Sequence, residues 1–186
     1  MAGGEGFTHP LTHTCSGILI GQALRPPQAL RRQTLVVLGA GAFAPDLDAI
    51  SYLWGPEVYS RLHHAHTHTL LGVAVLGAEL AGIERIWISG IPFRRLLVLN
   101  LAACSVHLAG DLIALWPLRL LWPWSDHDFA LRWTGDFDLA VLTVVGLATG
   151  LSATDRLRDR APWILAGVAV ILAGYFWWFP GVAGLR

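Results

Sequence analysis

Apolar runs recur along the chain, separated by short polar stretches. The longest is Ala161 to Phe179, "APWILAGVAVILAGYFWWF", nineteen residues without a charge. A helix needs about 20 such residues to cross a bilayer. Its Tyr-Phe-Trp-Trp end suits the headgroup level, where amphipathic rings gather. Leu96 to Leu115, behind Arg94 and Arg95, reads as a second span, and Leu139 to Ala153 as a third, short but uncharged. A fourth begins near Thr67 and runs to about Ile88, with Glu79 and Glu84 inside it. Two weaker runs come first, Leu11 to Leu24 and Thr34 to Phe43, each too short to cross as a straight helix. They read as half-helices packed against the others, or as a re-entrant pair joined by "RPPQALRR". The pattern predicts an all-α, polytopic helical membrane protein with about four full transmembrane helices plus two short N-terminal helices. No repeat, low-complexity tract or boundary divides it, so residues 1–186 read as one domain.

Composition agrees. Only 14% of the 186 residues are charged, against about 25% in soluble domains, and the mean hydropathy is +0.53. Lysine is absent, and the formal net charge is zero. No polyanionic partner is implied, and no basic, aromatic-interleaved groove for nucleic acid is present in the sequence. Cys15 and Cys104 each stand alone in apolar surroundings, as packing residues rather than a disulfide or metal pair. The first residues, "MAGGEGFTHPLTHT", lack the basic start of a signal peptide.

In so apolar a chain, the ionisable residues carry the information. Four groups stand out. His9 and His13 are four apart at the start of the first run, and Asp46 and Asp48 lie in "APDLDAI" after the second. His63, His64, His66 and His68 crowd into "HHAHTH" before the third, and His107 and Asp111 lie inside "SVHLAGDLIAL". Residues four apart share a helix face, so His107 and Asp111 point the same way. A carboxylate there needs a partner, either a hydrogen-bonded histidine or a metal. If each run crosses or dips and returns, all four groups fall at one end of one bundle. Several His and Asp side chains converging there are the mixed N/O donors expected for zinc or a similar divalent metal. More than four candidate ligands suggest two or three ions.

With those residues in place, the chain resembles the YdjM-like family of membrane-bound metal-dependent hydrolases. That family carries an N-terminal histidine, then "PDxD", "HRGxTHS", "HxxxD" and "PFS". This sequence offers "THPLTH", "PDLD", "HHAHTHT", "HLAGD" and "PWS" in the same order between Thr8 and Ser125. It departs at His64 and Ala65, where the family has Arg and Gly, and at Thr69, where it has Ser. By position His63 and His68 carry the third motif, which leaves His64 and His66 as outer or interfacial residues. The order His, Asp, His, HxxxD is also similar to the helical zinc phospholipase C and P1-nuclease group, in order and spacing only.

The reading that follows is a membrane-embedded metal-dependent hydrolase of the bacterial inner (cell) membrane. His9, His13, Asp46, Asp48, His63, His68, His107 and Asp111 are its candidate metal ligands. Asp46 and Asp48 are the candidate catalytic carboxylates, bridging metals or acting as general base. Membrane lipids surround it, and the substrate is a small molecule or lipid, with a phosphoester or lipid-like compound implied by the resemblance. "WPWSDHDFALRW" after Leu121 either covers the site, with Trp122 and Trp124 in the interface and His127 as an extra ligand, or is an aromatic anchor with a solvated "SDHD". Two other classes stay open: a metal or proton transporter with His107 and Asp111 on the ion path, and a non-catalytic membrane protein with a structural metal. Nine arginines (Arg25, Arg31, Arg32, Arg85, Arg94, Arg95, Arg156, Arg158, Arg160) lie in segments away from the motifs, and four (Arg61, Arg119, Arg132, Arg186) beside them. Arginine excess marks cytoplasmic loops, so the metal site should face outward.

Overall fold

The computed structural model describes residues 9–63, 65–114, 117–134 and 138–178, apart from the side chains of His9 and Ser60. His64 and the predicted span ends Leu115 and Phe179 lie outside the described residues. The helices are α1 (His9–Ala23), α2 (Gln28–Phe43), α3 (Pro56–Leu62), α4 (Leu70–Trp87), α5 (Phe93–Leu112), α6 (Leu139–Ala153) and α7 (Ala161–Trp178). Among the described residues the only strand pairing is an isolated bridge between Leu118 and Phe129.

Among the described residues three helical segments are long and apolar enough to cross a membrane: Gln28–Trp54, Phe93–Leu112 and Arg158–Trp178. Leu139–Ala153 is a shorter apolar helix beside them. The weak run at Thr34–Phe43 is therefore the middle of a longer element. Its helix starts at Gln28, directly after Pro27, and passes through a right-handed Ala44 into a 3₁₀ segment, Ala44–Trp54. Gly55 ends that segment with φ +110°, a conformation side chains resist, and Pro56 opens α3 at once. Helix α4 has the length of a span, but its 18 residues include three charged ones, Glu79, Glu84 and Arg85.

Helix α1 packs on α2, α6 and α7, while α5 packs on α2 and α4. Val37, Leu38, Ala81, Leu96 and Leu99 form the core between α2, α4 and α5. Leu19, Val145, Ala148 and Val168 tie α1 to α6 and α7. The outer face of α7 stays bare, with Val170 73% and Trp177 86% exposed, as a lipid-facing helix requires. The arginine-rich connections share one end: the Arg25 guanidinium donates to the Asp159 carbonyl across the bundle. At the other end the segment 117–134 folds back over α5. Leu131 N–H donates to the Leu112 carbonyl at 2.8 Å, and Leu70 N–H at the start of α4 donates to the Leu120 carbonyl at 2.9 Å.

Candidate metal centre

Four segments bring His and Asp to that end. Helix α5 supplies His107 and Asp111, both buried, one turn apart, with Nε2 3.0 Å from Oδ2. Helix α1 supplies His13, whose Nε2 lies 3.0 Å from Asp111 Oδ1 and whose ring centroid lies 3.9 Å from that of His107. This close approach needs Gly110, because a Cβ there would stand 2.7 Å from His13 Cε1.

The 3₁₀ segment supplies the two aspartates. Three residues per turn send positions two apart to different sides, so Asp46 and Asp48 do different things. Asp46 Oδ1 lies 3.5 Å from His107 Nε2 and 3.6 Å from His68 Nε2. Asp48 faces the opposite nitrogen of His68, with its Oδ2 3.4 Å from Nδ1. Its Oδ1 meets His63 Nδ1 at 2.6 Å, and its Oδ2 accepts from the Thr67 hydroxyl at 2.6 Å.

The connection into α4 completes the group. Thr69 caps that helix, accepting from Gly72 N–H at 2.8 Å. This fixes the backbone at His68, which is fully buried. Both central imidazoles have settled tautomers. His107 Nδ1 is 2.7 Å from the Ala42 carbonyl, which can only accept, so Nδ1 carries the proton. Thr67 gives its hydroxyl proton to Asp48, so at 2.9 Å its oxygen accepts from His68 Nδ1. Each Nε2 then presents a lone pair, and the two Nε2 atoms face each other at 3.0 Å. Two lone pairs at that distance repel unless a proton or a metal ion lies between them.

A metal fits these donors. Two ligands each about 2.0–2.1 Å from one tetrahedral ion sit about 3.3 Å apart, close to the 3.0 Å between the nitrogens. Asp111 Oδ2 adds a carboxylate oxygen 3.3 Å from His68 Nε2. Among the described residues two groups of three donors are close enough to hold an ion: Asp46, His68 and His107, and His13, His107 and Asp111, all buried. Asp46 Oδ2 is buried without a hydrogen-bond partner among the described residues, an acceptor oxygen that a cation would satisfy. Nδ1 contacts such as those of His68 and His107 are what orient metal-binding histidines. Without metal, burial works against a charged His68, but hydrogen bonds with Asp46 and Asp48 and the Asp111 charge prevail and push it up to about 9.

The other expected residues divide. His63 sits at the margin of the cluster, stacked on Tyr59 with ring centroids 4.5 Å apart. His66 is exposed, edge-on to Trp122 at 4.7 Å, and His127 is exposed beside Phe129 at 4.7 Å, so neither joins the cluster. Asp126 and Asp128 are exposed as well, which favours a solvated "SDHD" over a lid. Both cysteines are free, and Cys104 donates to the Gly41 carbonyl at 3.3 Å. Sequence reasoning passed over Thr67, the Ala42 carbonyl and Gly110. Thr67 had a signal, lying between His66 and His68 in the motif; the other two act through backbone that composition does not reveal.

Comparison with known proteins bears on the family. The chain is 27% identical over 180 residues, 95% of its length, to the inner membrane protein YbcI of Escherichia coli (strain K12), of which it covers 91%. It is 26% identical over 133 residues to the uncharacterized protein YfhP of Bacillus subtilis (strain 168), covering 68% of this chain and 41% of that one. No solved structure matches it. A family model described as YdjM inner membrane protein matches residues 8–181. With apolar helices of spanning length and a buried His/Asp cluster able to hold a metal ion, the chain belongs to the YdjM inner membrane protein family.

Proposed function

We propose that this protein is a metal-dependent hydrolase working at one face of the membrane on a phosphoester or lipid-like substrate, with zinc as its metal. One observation carries the reading. Each candidate group has three buried donors, His68 and His107 with Asp46, or His13 and His107 with Asp111. Three protein ligands leave a fourth tetrahedral position open, the pattern of catalytic rather than structural zinc. A bound metal would supply Lewis acidity and lower the pKa of water towards 7. The chain's own residues do the rest. Asp48 has one oxygen on His63 and the other on Thr67. It therefore orients His63, which at the margin of the site takes up the proton of the attacking water and returns it to the leaving alcohol. Thr67 and the Ala42 carbonyl hold the His68 and His107 rings in their metal-facing tautomers.

The arginine-rich connections at the far end are the cytoplasmic ones in this reading, so the site faces outward. A transporter draws on one observation, the Asn100 amide donating to Glu84 at 2.5 Å in the other half of α4 and α5. Buried Ala103 and Cys104 fill the turn of α5 between Asn100 and His107, which argues against a polar path joining them.

The test is metal analysis of detergent-purified protein together with hydrolysis of a phosphodiester reporter. Bound zinc, and activity that chelator removes and zinc restores, are expected. His68→Ala should lose both. Metal-free protein with chelator-resistant activity would end the proposal.

A further inference from the structure

Beside the metal centre runs an open groove of about 470 Å³, within the roughly 300–1,000 Å³ usual for small-molecule sites. The 3₁₀ geometry builds one wall. Residues three apart stack in a row on such a helix, so Asp48, Ser51 and Trp54 stand in line, and all three line the groove. Asp48 is the end of the row tied to His63 and His68; Trp54 is the outer end and 68% exposed. Ile50 on the same segment and Val58 and Leu62 of α3 supply the apolar lining. The groove thus grades from carboxylate and hydroxyl at the metal centre to bare hydrocarbon at its outer end.

Ser51 is a second, independent observation. It is only 4% exposed, lines the groove, and its Oγ has no hydrogen-bond partner among the described residues. A buried hydroxyl left without a partner costs about 1–3 kcal/mol, so it marks a place where a ligand atom belongs. Leu47 and Leu53, outside the groove, are exposed on a segment long and apolar enough to cross a membrane. The groove therefore opens where acyl chains and ester groups of a bilayer lie.

We infer that this groove seats one acyl chain of a membrane phospholipid, with an ester oxygen on Ser51 Oγ and the head towards Thr67 and Asp48. The inference rests on the hydrolase reading only for the fate of the head; occupancy of the groove does not depend on it.

The experiment uses full-length protein in phospholipid nanodiscs, with and without zinc, and a lysophospholipid carrying a photoreactive diazirine in its chain. Labelled peptides are mapped by mass spectrometry. Saturable labelling of Ile50, Trp54, Val58 and Leu62 is expected, displaced by unlabelled lysophospholipid and not by a short-chain soluble phosphodiester. Val58→Trp should cut groove labelling at least tenfold, while labelling of the exposed face of α7 around Val170 stays constant and reports on folding. Val170→Trp, on that remote face, should leave groove labelling unchanged. Labelling spread evenly over the exposed faces, or groove labelling indifferent to Val58→Trp, overturns the inference. Groove labelling without hydrolysis of any ester would retire the hydrolase reading and keep the groove; hydrolysis with even labelling would do the reverse.

Discussion

Gly110→Ala is a one-methyl probe of the proposed metal centre. The added Cβ would stand 2.7 Å from His13 Cε1 and 3.0 Å from its Nδ1. Ordinary contact is 3.4–4 Å, so the imidazole must retreat by roughly 1 Å. Metal ligands tolerate displacements of only about 0.2 Å, and the 3.0 Å approach of His13 to Asp111 would also be lost. The fold should survive. Overpacking costs about 1–3 kcal/mol, partly offset by about 0.5–1 kcal/mol gained on replacing glycine inside a helix. Zinc affinity should fall about 10–100-fold, as when a group that orients a ligand is lost, equivalent to about 1.4–2.8 kcal/mol. Competition against a fluorescent chelator in detergent measures it. Gly82→Ala on α4, where nothing lies within 4 Å, is the control and should bind zinc unchanged. If Gly110→Ala binds zinc like the unmodified protein, His13 is not part of the centre and the geometry argued from α1 is wrong.

Proton competition should be visible in zinc titrations: with metal-free His68 pushed up to about 9, apparent affinity should rise about tenfold per pH unit from pH 6.5 to about 9, and a flat profile would refute the assignment of His68. The sign for the metal-free protein is opposite, since the imidazolium stabilises the fold fully below about pH 6.5 and that contribution fades as pH rises through about 9. Asp138→Ala should lower stability by about 1–2 kcal/mol in a thermal melt, because its carboxylate caps α6 at Ala140 and Val141 and also accepts from Thr134 and Tyr175; an unchanged Tm would mean the cap is idle. A C-terminal reporter active only outside the cytoplasm is expected from the arginine distribution, and one active only in the cytoplasm would reverse the orientation while leaving the proposed metal centre untouched.

Much of this protein is determined by sequence alone, because hydrocarbon leaves few choices. Long apolar runs read as helices in which every backbone group is satisfied internally, and α5, α6 and α7 lie where the runs placed them. The i,i+4 spacing of His107 and Asp111 puts them on one face whatever surrounds the helix. What the sequence left open is how segments far apart in the chain meet. Whether His13 reaches Asp111 depends on α1 and α5 closing over Gly110, an approach between helices nearly a hundred residues apart that no local pattern encodes. The two aspartates of "PDLD" read as one motif, both candidate metal ligands and both candidate catalytic carboxylates, with nothing local to tell them apart. The chain continues from α2 into a 3₁₀ segment, whose three residues per turn aim Asp46 at the Nε2 atoms and Asp48 at the far side of His68. Local propensity does not choose between a turn, an α-helix and a 3₁₀ helix there; the packing of Ala42 and Ala44 against the bundle, and the His107 hydrogen bond to the Ala42 carbonyl, select the last.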